Sequence, residues 1–314
     1  MTKQVEDKLD SIPVLNLVVR FLKKIKLPGF EGLSLYDLLE MYIIGIVEGA
    51  LTTRASAIAF SFFTAIFPFL LFIIIIIPFI PIEGFQIQFL SFLDTFLPPQ
   101  TSEFFEHNIF ENITTTSQGS LISTVFLLSI FLMANGVSAV FSGFEHSYHD
   151  QLTRSVFKQY LYALGVALIL AFLVVLTVGV LGYSQLYIVT PLYERISGEE
   201  INASEAGLFW IKTSKYLFAT VMIYVATATL YYFGTKEGRH SKFFSLGALF
   251  TTLLIALTSY FFGIYIENFS KYNELYGSIG ALLILLFYLW LNSNILLLGF
   301  ELNASLNQLK RQQN

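Results

Sequence analysis

The sequence predicts an all-α integral membrane protein with six transmembrane helices, N-terminal amphipathic helices and a helical loop on the extracytoplasmic side. Three observations carry this expectation. Hydrophobic residues make up 55% of the chain and charged residues only 13%, whereas a soluble domain is about a quarter charged. Six stretches reach the roughly 20 mostly apolar residues that a bilayer crossing requires. Lys and Arg concentrate on alternate connections between those stretches. The 33 Phe and 17 Tyr exceed what one soluble core buries and suit a surface that faces lipid.

The N-terminal segment, 1–34, reads as a cytoplasmic amphipathic element. Asp10 or Ser11 can cap a helix with Pro13 in its first turn. Ile12, Leu15, Val18, Leu22 and Ile25 then share one face, with Arg20, Lys23, Lys24 and Lys26 beside it. That pattern suits a helix resting on an anionic inner leaflet. Pro28–Gly29 ends it, and Ser34 with Asp37 forms a capping pair for a second helix. No cleavable signal peptide is expected, so the first span acts as its own insertion signal.

The membrane domain is expected over 35–306, with spans at 57–82, 121–141, 160–183, 209–233, 243–266 and 279–300, and a cytoplasmic tail over 307–314. In the first external loop, Phe85, Phe89, Phe92, Leu93 and Phe96 suit an interfacial helix ended by Pro98–Pro99. The third span continues apolar to Leu192, which implies a long or tilted helix.

Orientation follows from the positive charges. With the N-terminus inside, the inner side holds Lys3, Lys8, Arg20, Lys23, Lys24, Lys26, Arg54, Arg154, Lys158, Lys236, Arg239, Lys242, Lys310 and Arg311. The outer side holds Arg195, Lys212, Lys215 and Lys271. Fourteen against four places both termini in the cytoplasm.

Three segments carry the polar and small residues. In span one, Ala57, Ser61 and Ala65 recur every four residues, the spacing that lets membrane helices approach closely. Pro68 and Pro78 are expected to bend that span. In span two, Asn135, Ser138 and Ser142 lie near a common face, ahead of Glu145, His146 and His149. In span six, Gly277 and Ser278 break the chain at the outer face, and Asn292 and Asn294 lie within the membrane. Amides in a bilayer prefer partners, so Ser61, Pro68, Asn135, Ser138, Gly277, Ser278, Asn292 and Asn294 are candidates for a substrate or ion pathway. Arg54 and Glu301 stand at the inner ends of spans one and six, at one depth, and are expected to pair.

Several chemistries are not expected. The chain has no Cys and only four His, and Glu145, His146 and His149 lack a third convincing metal ligand, so neither metal nor cofactor is expected. There is no phosphate-binding Gly loop and therefore no ATPase of its own. There is no catalytic set and no nucleic-acid surface. Sodium coupling through Ser, Thr, Asn and backbone oxygens stays open.

These segments resemble the YihY/BrkB family of bacterial inner-membrane proteins. The likeness rests on Arg54–Ala55 followed by a Phe67–Pro68 turn, on Asn135–Gly136, and on Tyr276–Gly277 through to Gly299-x-Glu301-Leu302-Asn303-Ala304. It covers roughly 35–306. The resemblance implies six helices in the bacterial cytoplasmic membrane, and associations with serum resistance, envelope-lipid export and solute export. It also implies an old ribonuclease label, which the residues here do not support. The expected function is an exporter or flippase-like carrier of a small zwitterionic solute or an envelope lipid. Membrane lipids are then its partners, with assembly into a homo-oligomer open. The alternatives are a non-transporting envelope scaffold and a membrane enzyme.

Overall fold

The structure is a computed structural model that describes residues 13–26, 34–37, 39–40, 50–76, 119–147, 154–184, 202–240, 242–268 and 278–313. Its described residues are helical apart from short connections and one isolated bridge, between Lys26 and Ser34. The helices are α1 (Pro13–Lys24), α2 (Leu51–Ile76), α3 (Gly119–Glu145), α4 (Val156–Ser184), α5 (Asn202–Gly234), α6 (Leu246–Asn268) and α7 (Ser278–Gln313). Six of them, α2 to α7, are long and apolar enough to cross a membrane.

Pro13 is the first residue of α1, where its missing N–H costs nothing. Lys23 and Lys24 close the last turn, where the helix dipole favours cations. The Lys23 ammonium also sits 4.7 Å from the centre of the Tyr36 ring. Ser34 and Asp37 form the expected reciprocal cap. The Ser34 N–H donates to Asp37 Oδ2 at 2.7 Å and the Asp37 N–H to Ser34 Oγ at 3.3 Å. The expected caps at Asp10 or Ser11, the Pro28–Gly29 stop, the external-loop helix, Pro78 and Gly277 lie outside the described residues.

Span one differs from its sequence expectation at its start and at Pro68. It starts at Leu51, after Ala50 in the left-handed region with φ of 46°. It then runs as one α-helix through Pro68, so Phe67–Pro68 is helical rather than a turn. Proline inside a helix removes one backbone donor, and here the helix continues to Ile76 regardless. At the other end of the chain, α7 carries on as one helix to Gln313 and takes most of 307–314 with it.

The spans form a ring in chain order, each touching the next, and α7 closes onto α2. Arg54, Gly143, Arg154, Gly234, Gly247 and Glu301 gather at one end, here termed the basic end. The core is densest there. Leu51, Ala55, Ile58, Phe141, Phe144, Leu297 and Phe300 are all buried, and α3 reaches inward to touch α5 and α7. Elsewhere large apolar side chains such as Phe60, Phe172, Tyr216 and Tyr260 are exposed, as lipid contact requires.

Small residues set the helix spacing. A Cβ on Gly136 of α3 would lie 3.0 Å from Ala65 Cβ and 3.6 Å from the Ser61 carbonyl of α2. One on Gly143 would lie 2.8 Å from Ile58 Cδ1. Ser61 and Ala65 therefore do serve close approach to α3, whereas Ala57, expected on the same stripe, is exposed.

Candidate functional site

At the basic end several charged and polar groups are paired inside the chain, although Arg54 Nε is buried without a hydrogen-bond partner. Arg54 Nη2 donates to Glu301 Oε1 at 3.0 Å, and Nη1 donates to the Gly143 carbonyl at 2.9 Å. Ser147 Oγ donates to Glu301 Oε2 at 2.5 Å. The two charged side chains are only 10% and 4% exposed. One fork thus ties α2, α3 and α7 together.

Arg154 makes a second fork. Its guanidinium donates to the carbonyls of Phe233 and Thr235, both at 2.5 Å, and to that of Gly234 at 3.3 Å. These carbonyls, at and just past the last turn of α5, have no intrahelical donor of their own. Glu145 Oε1 accepts from the Arg154 N–H at 3.1 Å, and the Tyr162 ring lies 4.4 Å from the guanidinium. Burial pulls this guanidinium below the usual Arg range, opposed by Tyr162 and Glu145. Arg239 Nη1 donates to Tyr162 Oη at 2.8 Å from the outer side of the same ring.

The segment Gly299-x-Glu301-x-Asn303 uses each polar or small position structurally. A Cβ on Gly299 would fall 1.8 Å from Thr251 Oγ1 and 2.7 Å from Tyr231 Oη. Thr251 Oγ1 donates to Tyr231 Oη at 2.6 Å, and Tyr231 Oη donates to the Leu296 carbonyl at 2.6 Å. Asn303 Oδ1 accepts from the Gly247 N–H at 2.8 Å, and Nδ2 donates to Ser245 Oγ at 2.7 Å, capping α6. Beside this knot, Phe144 stacks on Phe300 with centroids 4.1 Å apart, and Tyr231 meets both rings edge-on.

Further along the bundle a cavity of about 230 Å³ lies between α2, α3, α4 and α7. Its lining is Phe62, Ala65, Ile66, Phe69, Met133, Gly136, Val137, Ala167, Leu170, Ala171, Val174 and Leu289. Every one of these side chains is apolar.

The expected polar pathway is not where this cavity lies. None of Ser61, Pro68, Asn135, Ser138, Asn292 or Asn294 lines it. Asn292 Nδ2 donates to the Tyr288 carbonyl at 2.9 Å and Asn294 Nδ2 to the Trp290 carbonyl at 2.7 Å, each within α7. Their faces differ. Asn292 falls between Tyr288, bonded to Ser259, and Gly299, packed on Thr251, so it faces α6. Asn294 falls between Trp290, bonded to Ser56, and Glu301, so it faces α2. Residues two apart on a helix point about 200° apart, and no single site gathers both. Asn292 Oδ1 is buried without a hydrogen-bond partner. Asn135 is exposed, which corrects the expectation that it points into the bundle; Ser138 and Pro68 are half-buried. Ser278 begins α7. Among the described residues no three His, Asp or Glu gather as a metal site. Glu145 and His146 are bonded to Arg154 and to the Ser142 carbonyl.

A family model for the virulence factor BrkB matches residues 45–314, from just before α2 to the end of the chain. The chain belongs to the BrkB family. The putative ribonuclease-like protein YfkH of Bacillus subtilis is 23% identical over 82% of this chain and 91% of its own length. A UPF0761 membrane protein of Aggregatibacter aphrophilus is 22% identical over 85% of this chain and 90% of its own. One from a Psychrobacter species is 26% identical over 45% of this chain and 26% of its own. No solved structure matches. This BrkB-family chain is thus a multi-pass membrane protein. The residues that sequence reasoning missed are Tyr231, Thr251, Gly143, Ser147 and the capping role of Arg154. The signal for Arg154 was a single Arg in the short link between two long apolar spans.

Proposed function

We propose that this BrkB-family protein is a flippase-like carrier or exporter, without its own ATPase, that moves a lipid or other amphiphile with an apolar tail. The observation that supports it is the cavity between α2, α3, α4 and α7, whose lining side chains are all apolar. It measures about 230 Å³ and is open to its surroundings rather than enclosed. Such a lining favours part of an acyl chain over a zwitterionic solute, whose charges would go unsolvated. The basic end faces the cytoplasm of a bacterial inner membrane in this reading, with both termini there, because Lys and Arg accumulate on the inner side. A ribonuclease role fits poorly, since Arg54 and Arg154 are spent on partners within the chain.

The test is reconstitution of the purified protein in liposomes holding fluorescent phospholipid, with and without a sodium gradient. Protein-dependent movement of labelled lipid between leaflets, without release of small zwitterionic osmolytes, is expected. Osmolyte release without lipid movement would point to a solute carrier. Neither activity would leave the scaffold reading.

A further inference from the structure

Arg239 stands in the short 3-10 helix Glu237–His240 that follows α5, and it is exposed. A surface Arg ordinarily samples many rotamers. This one is held by Tyr162 of α4, whose Oη accepts from Nη1 at 2.8 Å and whose ring centre lies 5.7 Å from the guanidinium carbon. No described residue accepts from its Nη2 or Nε. The acids of this end are engaged elsewhere, Glu145 by the Arg154 N–H, while Glu237 is buried.

Lys158 lies one turn before Tyr162 and is exposed. At about 100° per residue, Lys158, Tyr162, Gly165 and Ile169 fall within about 60° of one another round α4. Gly165 and Ile169 are both exposed, and a Cβ on Gly165 would meet nothing within 4 Å. A column thus runs from two cations onto an open apolar strip beside α5. In the same turn as Lys158, Val156 and Phe157 are exposed. Cations and large apolar side chains exposed at one level suit the headgroup boundary of a bilayer. The side chains of α4 that line the apolar cavity, among them Ala167, Ala171 and Val174, lie round the opposite side of this helix.

We propose that the α4–α5 seam at the basic end holds an anionic phospholipid of the adjacent leaflet, its phosphate between Arg239 and Lys158 and an acyl chain along Gly165 and Ile169. The free edge of the preset guanidinium matches two phosphate oxygens, and the Lys158 ammonium adds a point charge. Basic pockets between membrane helices take such headgroups. A soluble anion would need the cations alone, whereas the strip that continues from them into the span fits a tail. The site is separate from the cavity and holds lipid whether or not the protein moves it.

Ile169→Trp puts a reporter on the column, and the signal of the two native Trp, Trp210 and Trp290, is subtracted with the unsubstituted chain. The full-length variant in phosphatidylcholine liposomes is titrated with tail-brominated phosphatidylglycerol or tail-brominated phosphatidylcholine. The anionic lipid should quench at lower mole fraction. Arg239→Ala and Lys158→Ala should each weaken that preference about five-fold, the scale of one basic side chain at an anionic surface. Tyr162→Phe keeps the ring but releases Arg239, and should lose part of the preference. Arg20→Ala, which removes an exposed charge from α1, should lose none. Equal quenching by the two lipids, or a loss from Arg20→Ala as large as that from Arg239→Ala, would overturn the proposal. Release of the brominated anionic lipid by inorganic phosphate would also overturn it and assign the cations to a soluble anion. The measurement needs no lipid movement, so failure of the carrier reading and failure of this site are told apart.

Discussion

Arg54 and Glu301 lie 247 positions apart in the chain, yet their side chains meet at 3.0 Å, one on the first span and one on the last. The contact closes the ring of helices. It differs from a two-bond fork on one carboxylate, because the second Arg54 nitrogen grips the Gly143 carbonyl and Ser147 takes the second carboxylate oxygen. Removing one partner of a buried pair leaves an uncompensated charge and costs about 3–5 kcal/mol. Arg54→Glu and Glu301→Arg should each sharply lower folded yield by gel filtration. The double exchange should recover only part of it, since a carboxylate at 54 cannot donate to Gly143.

The Gly299 knot makes a second prediction. A methyl at Gly299 would overlap Thr251 Oγ1 and crowd Tyr231, and overpacking of this kind costs about 1–3 kcal/mol. Gly299→Ala should lower the thermal midpoint in detergent. Gly263→Ala is the control, because nothing lies within 4 Å of a Cβ there. Ala favours a helix over Gly by about 1 kcal/mol, so that variant should hold or raise the midpoint.

The spans and the Arg54–Glu301 contact were legible in the sequence for the same reason. Hydrophobic length and the depth of a charge are properties that a bilayer imposes directly. The facing of each helix was not. A lipid-facing helix is apolar all round, so periodicity could not say that Asn135 looks outward or that Asn292 and Asn294 look opposite ways. Glycine carried better information, since Gly299 marks a helix contact too close for a Cβ and Gly136 and Gly143 mark tight ones. Pro68, expected to bend the span, stands inside one α-helix, since the loss of one donor does not by itself end a helix.

Arg154 supports a third prediction. It supplies donors to the last carbonyls of α5, and each buried carbonyl left without one costs about 1–3 kcal/mol. Arg154→Ala should therefore lower the thermal midpoint strongly. Arg154→Lys keeps the charge but cannot span carbonyls with a planar fork, and should fall between. Tyr162→Leu should cost less than Arg154→Ala, because it removes only the ring beneath the guanidinium. Intrinsic fluorescence during heating reads all three.

The fourth prediction concerns the cavity. Ala171 lines it and is buried, with the exposed Phe172 beside it facing outward. If apolar tails pass between α2, α3 and α4, the space next to Ala171 limits the rate. Ala171→Phe should then slow lipid movement several-fold in liposomes, and because Ala171 also belongs to the buried core it should lower the thermal midpoint as well. Phe62→Ala widens the same cavity from the α2 side, so movement should not slow even though the protein loses packing energy. Phe172→Leu should leave the rate unchanged. The opposite signs expected of the filling and widening variants matter most, because general destabilisation would slow both. A rate indifferent to Ala171→Phe would mean that the apolar cavity is not the path.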